Sequence, residues 1–330
     1  MSIVYVNSTL RARRAMSNDG STSPLHYWGY APHPGDALLM HRLNRWEIHL
    51  RHRLGGLDPS ILAATLWRLG RNATGTYVVS QPDLWQVFPL LKELFPRRPL
   101  ATWVWMDWEV DLQFDRLRTC DHVFCLTPGA KQRLDERGMS ARSSFVLWGC
   151  DPAYYRATAP VPAEADVIIS GMSQRDTALA RAALDTARYR VLLTPVTAQI
   201  VGRPEAATPI GNDPELRRAY HRSRVCWILL RAEDRYPSGL TNLIESLLCG
   251  TAVVIADRTL IPEPYLTLPG VFRYRTGDLT NLLARTDEAL AWTREPRARS
   301  AIAAAAAERL SGQELSAAIA RTLGPGHLRR

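Results

Sequence analysis

Between residues 217 and 266 the chain alternates so regularly that few folds remain open to it. Val225-Cys226-Trp227-Ile228-Leu229-Leu230 is an apolar run of strand length. Tyr236-Pro237-Ser238-Gly239 then supplies a small, permissive turn. Leu243, Leu247 and Leu248 recur at helical spacing, and Gly250 stops that helix just before a second apolar run, Ala252 to Ala256. A strand, a glycine turn, a helix and another strand make a βαβ unit.

A glycine turn that leads from a strand into a helix is also suited to an anion. The backbone N–H groups of Gly239, Leu240, Thr241 and Asn242 would point outward with the helix dipole behind them, and Ser238 precedes them. A diphosphate suits that setting. Glu245 falls about one turn further in, where a carboxylate can accept two hydrogen bonds from a ribose diol. The plainer alternative is a βαβ unit whose glycines only make turns, and the residues alone leave both open.

The same alternation runs through the rest of the chain. Ile3 to Val6 reads as a first strand, with Asn7 and Ser8 at its C-terminal edge, where open α/β sheets place ligands. Residues 11–37 read as a long loop carrying Trp28 and Tyr30, either a binding loop or a packed connection. The spacing of Leu39, Leu43, Trp46 and Leu50 predicts a helix over Asp36 to Arg53. Tyr77 to Ser80 reads as a strand, and Asp83 as the cap of a helix reaching Leu94. Leu100 to Met106 is a strand ending in Asp107-Trp108-Glu109. Asp107 is either a general base at the strand end or the N-cap of the following helix. A proline-bearing linker, Ala157 to Ala163, separates two halves, 1–158 and 159–330. Alanine-rich helices are expected over Ala298 to Leu310 and Glu314 to Leu323. Two alternating halves argue for an α/β chain of two doubly wound, Rossmann-like domains.

Several of these segments resemble the GT-B glycosyltransferases of the glycogen synthase-like group, whose donor signature is E-x7-E followed by A-x-x-x-G-x-P-V-V. Glu245 matches the second glutamate, and Gly250 with Val253-Val254 matches the tail; Pro237 stands where the first glutamate is usual and Ala252 where proline is. Asp107 takes the aspartate place of a His-Asp pair whose histidine is here Met106. Gly149-Cys150-Asp151-Pro152-Ala153-Tyr154-Tyr155 is similar to the exit motif G-V-D-x-x-x-F. After Gly171, Met172 fills a position that in the group carries a phosphate-gripping arginine, and Arg175 is the nearby substitute. The resemblance implies two domains facing a cleft, with a C-terminal helix crossing back. The N-terminal domain would bind a small-molecule acceptor and the C-terminal domain a UDP-sugar or another nucleotide-diphosphate sugar.

On that footing Gly171, Arg175, Ser238, Gly239, Leu240, Thr241, Asn242 and Glu245 are the donor-site candidates. Asp107 and Glu109 are the catalytic candidates, and Asn7, Ser8, Trp28 and Tyr30 the acceptor candidates. The implied activity is metal-independent glycosyl transfer with no cofactor beyond the donor, in natural-product biosynthesis; a cytosylglucuronate synthase-like use of a nucleobase acceptor is one instance. The alternatives are a GT-B sugar-nucleotide epimerase or hydrolase, and a basic nucleic-acid-binding protein.

Composition bears on that last alternative. The net charge is +9 and Lys92 and Lys131 are the only lysines, so the positive charge is almost all arginine. The arginines are dispersed rather than clustered, which argues against a nucleic-acid footprint. The five cysteines are scattered without zinc spacing. No apolar run approaches the ~18 residues of a membrane span, and a cytoplasmic protein is expected.

Overall fold

The computed structural model describes residues 2–7, 23–27, 37–40, 63, 65–67, 69, 73–78, 88–157, 161–171, 173–232, 236–295 and 297–324. The chain divides into two compact units. The first comprises residues 1–19, 26–150 and 312–330, and the second residues 20–25 and 151–311.

The first unit is built on a six-stranded parallel sheet of order β2-β1-β3-β4-β5-β6. Its strands are β1 (Ser2–Asn7), β2 (Ala37–Met40), β3 (Ala73–Val78), β4 (Leu100–Val104), β5 (His122–Cys125) and β6 (Ser143–Phe145). Every residue of β4 is buried, as expected of a strand covered on both faces. Val4, Val78, Val104 and Val123 form the centre of the core with Leu117 and Leu134. Chain order reverses across β1, with β2 on one side and β3 on the other, so the switch point opens beside the C-terminal end of β1. The C-terminal helix Gln313–Leu323 packs on β3 and β4, so the last described residues return to the first unit.

Two expectations change here. Residues 37–40 form the edge strand β2, paired with β1 from Val4↔Ala37 to Asn7↔Met40, rather than the start of a helix. The strand expected over Tyr77 to Ser80 is β3 and starts earlier, at Ala73.

The second unit carries a five-stranded parallel sheet of order β11-β10-β9-β7-β8. These are β7 (Ala165–Ile169), β8 (Val191–Leu193), β9 (Ser223–Ile228), β10 (Ala252–Ala256) and β11 (Val271–Tyr274). Here the order reverses across β7, which pairs with β8 on one side and β9 on the other. The switch-point crevice therefore lies at the ends of β7 and β9, where the chain leaves through Gly171 and through the Gly239 turn. The Leu240–Leu248 helix follows β9 and buries Leu243, Leu247 and Leu248. Among the described residues, no helix is long and apolar enough to cross a membrane.

Candidate functional site

The exit of β7 and the start of the Leu240–Leu248 helix are drawn together by two glycines. Gly239 occupies the N-cap in the left-handed region, φ +81°, which glycine adopts without steric cost. A Cβ there would lie 2.4 Å from Ile228 Cγ2 and 3.6 Å from Arg175 Nη1. Gly171 is also left-handed, φ +88°, and a Cβ on it would lie 2.3 Å from Arg175 Nη2 and 2.7 Å from Asn242 Oδ1. Only a residue without a side chain lets the guanidinium and the first helical turn approach this closely.

The glycine N-cap offers no side-chain acceptor to the helix. The Leu240 amide turns back to Pro237 O at 3.2 Å. The first-turn amides of Thr241 and Asn242, both half-buried, face the C-terminal edge of the sheet with the positive end of the helix dipole. Leu240 contributes backbone only, since its side chain is buried in the core. Ser238 is buried beneath the turn.

Arg175 lies just before the Thr177–Asp185 helix and its N-cap Asp176. It sits in an isolated antiparallel bridge with Leu230 and is 5% exposed. Nε and Nη2 donate to Ser170 O at 3.3 and 3.0 Å, Nη1 to Ser173 O at 3.1 Å, and Nη2 to Asn242 Oδ1 at 2.8 Å. The cation therefore clamps the β7 exit to the helix start and sits under the Gly239 turn. Arginine only donates, so Asn242 must present its oxygen to Arg175. Its Nδ2 then donates to Ser170 Oγ at 2.8 Å and Tyr220 OH at 3.0 Å.

One turn deeper, Glu245 is 6% exposed. It accepts from Tyr155 OH at 3.2 Å on Oε1 and from Tyr220 OH at 3.4 Å on Oε2. Burial first, then the Glu245 charge, hold the Tyr220 phenol well above its usual range, so it stays a donor. The carboxylate is thus held inside the unit by tyrosines rather than standing in open solvent. Residue spacing did not reveal Tyr155, Tyr220 or Ser170. One signal was present: Tyr155 falls where the exit motif has phenylalanine, which adds a hydroxyl.

The opposite end of this helix differs in sign. A cavity of about 470 Å³ lies there, with Leu248, Cys249 and Arg299 among its walls. Arg299 donates to the carbonyls of Gly250 at 3.1 Å and His221 at 2.7 Å. Helix carbonyl ends disfavour an anion, and the arginine already serves them.

In the first unit, β4 runs into the Asp107–Leu117 helix. The cap position is Met106, and Asp107 is the first helical residue rather than the N-cap. Glu109 is 9% exposed, and its Oε2 accepts the amides of Trp105 at 2.8 Å and Met106 at 3.0 Å. It holds the turn by reaching back, as the glutamate of a capping box does. Burial raises its carboxyl above the usual range against the opposing pull of those two amides. Asp107 is half-buried and lies against Gly129, whose added Cβ would be 4.0 Å from Asp107 Oδ2. Gly129 is in the first turn of the Pro128–Glu136 helix, capped by Thr127. Asp107 therefore sits where two helix N-termini meet at the C-terminal edge of the sheet, a setting that favours negative charge.

Of the acceptor candidates, Asn7 ends β1 at the switch point. Its side chain, with Ser8, Trp28 and Tyr30, lies outside the described residues.

No protein-family model matches the chain, and no curated protein matches it significantly. Solved structures do match. Anabaena Alr3699/HepE in complex with UDP and glucose aligns over 98% of this chain and 99% of its own, at 13% identity and a TM-score of 0.66. A glycosyltransferase from Rickettsia africae aligns over 98% and 99%, at 12% identity and 0.62. The sucrose-phosphate synthase of Thermosynechococcus elongatus aligns over 97% and 98%, at 13% and 0.60. At such identities the likeness establishes the fold: the chain has the GT-B architecture of paired Rossmann-like α/β units.

Proposed function

We propose that the protein is a glycosyltransferase that moves a sugar from a nucleotide-diphosphate sugar, a UDP-sugar first, to a small-molecule acceptor. The observation that carries this is the glycine-capped start of the Leu240–Leu248 helix at a topological switch point, clamped by Arg175. Fold likeness to HepE supports it, since that protein has been crystallised with UDP and with UDP-glucose.

In this reading the diphosphate lies on the amides of Thr241 and Asn242 at the Gly239 turn, beside Gly171, and Glu245 accepts from the ribose. Transfer breaks the bond between the anomeric carbon and the diphosphate oxygen, leaving negative charge on the leaving group. Helix amides and the Arg175 charge, fixed before the reaction, stabilise that charge. The acceptor oxygen or nitrogen bonds to the anomeric carbon, and Asp107 takes its proton. Glu109 is occupied by backbone amides and supports the turn that presents Asp107. The acceptor is proposed to be a natural-product precursor, a nucleobase being the narrowest instance.

A thermal-shift panel of nucleotide sugars tests the reading. The best donor should raise Tm in proportion to its affinity, and Glu245→Ala should weaken UDP binding by roughly tenfold in calorimetry, the scale of a lost hydrogen bond to a charged group. Unchanged affinity removes Glu245 from the site. Steady release of UDP without acceptor would favour a hydrolase or epimerase on the same fold.

A further inference from the structure

A short piece of chain from between β1 and β2 contributes to the second unit. Residues 20–25 group with residues 151–311, and within them Ser23 is 1% exposed and Leu25 fully buried. The Ser23 amide donates to Asp213 Oδ2 at 2.7 Å, at the start of the Asp213–His221 helix that also carries Tyr220. Ser23 Oγ accepts the Leu25 amide at 3.2 Å and hydrogen-bonds Tyr155 OH. Tyr155 OH in turn donates to Glu245 Oε1.

The proton direction along this relay is fixed. A carboxylate only accepts, so the Tyr155 proton points to Glu245 and Tyr155 receives the proton of Ser23. Ser23 Oγ then takes the Leu25 N–H on its remaining side. With Tyr220 on Oε2, a phenol reaches each carboxylate oxygen, which fixes the plane of the group.

We propose that Ser23 and Tyr155 are positioning residues for ribose recognition. Their relay sets the Glu245 carboxylate at the angle from which both oxygens can accept from the 2′- and 3′-hydroxyls of a ribonucleoside diphosphate. The inference rests on the reading of Glu245 as the ribose carboxylate. Phenylalanine would fill the volume of Tyr155, and alanine would leave the backbone bond of Ser23 to Asp213 intact. Removal of either hydroxyl therefore loosens the carboxylate without emptying the core.

The test measures calorimetric affinity for UDP, GDP and ADP and for their 2′-deoxy forms, taking the tightest base. Wild type, Tyr155→Phe, Ser23→Ala and Glu245→Ala are compared, with Tm recorded for each. Wild type is expected to prefer the ribonucleotide by roughly tenfold, and Glu245→Ala to abolish that preference. Tyr155→Phe and Ser23→Ala should weaken the ribonucleotide roughly three- to tenfold and leave the 2′-deoxy form within about twofold. The relay is overturned if both hydroxyl variants keep the wild-type ratio, or weaken both ligands equally, while Glu245→Ala abolishes the ratio. If Glu245→Ala keeps the ratio, or no nucleotide binds wild type, the underlying ribose reading fails instead.

Discussion

Replacement of Gly239 by alanine tests the geometry of the turn and the anion site together. The residue is left-handed, and for alanine that backbone costs about 1–2 kcal/mol. The new Cβ would also stand 2.4 Å from Ile228 Cγ2, on a fully buried side chain with little room to yield. Overpacking of this kind costs about 1–3 kcal/mol. The sum, roughly 2–5 kcal/mol, corresponds to a fall in Tm of roughly 5–15 °C for a domain this size. A double-mutant cycle separates the two parts. In an Ile228→Ala background the overlap disappears, so Gly239→Ala should cost only the backbone part, about 1–2 kcal/mol. UDP affinity, followed in the same variants, should fall because the amides of residues 241 and 242 tilt. Equal costs in the two backgrounds would refute the close approach. A cost below about 0.5 kcal/mol would refute the left-handed turn.

Two further expectations concern the first unit. Asp107→Asn should abolish turnover with donor affinity unchanged in calorimetry; normal turnover would reduce Asp107 to a helix-terminal charge. Glu109→Gln keeps an acceptor for the Trp105 and Met106 amides but carries no charge. Because burial places the folded-state pKa of Glu109 above its unfolded value, wild type loses stability as pH rises from the unfolded through the folded pKa. The Tm of Glu109→Gln relative to wild type should therefore increase between pH 4 and pH 7, and a decrease would show that the amide bonds outweigh burial.

The frame of both units was legible because a parallel sheet writes itself locally. β9, the Gly239 turn, the Leu240–Leu248 helix and β10 fall where apolar runs, glycines and helical spacing put them. What failed was long-range. Ala37–Met40 contains good helix formers, yet its place is decided by β1, whose edge it pairs; tertiary pairing overrides propensity. The backward reach of Glu109 to the Trp105 and Met106 amides was hidden because Met106 lacks the polar side chain that marks a capping box. Arg175 is placed near the diphosphate only by its resemblance to a phosphate-gripping position; its bridge to Leu230, from the chain beyond β9, could not be read from its neighbours in sequence. Ser23 and Tyr155 meet across 132 residues, and no periodicity encodes such a meeting.

Those long-range contacts share a physical cause that bears on the proposed site. Arg175, Asn242, Ser170, Tyr220, Glu245, Tyr155 and Ser23 form one continuous hydrogen-bonded network. Polar groups buried this deeply must be matched to one another, so their roles are set by partners distant in sequence. Matching also has a functional consequence. In the proposed transfer, a guanidinium and a carboxylate already fixed by neutral hydroxyls, amides and carbonyls would need little rearrangement as charge develops on the diphosphate, and a preorganised group stabilises it more than a mobile one. It follows that substitutions in the network should act mainly through the orientation of Arg175 and Glu245. Tyr155→Phe is the mildest of them, which makes it the most informative: it alters one bond to the carboxylate and leaves the clamp at Arg175 in place.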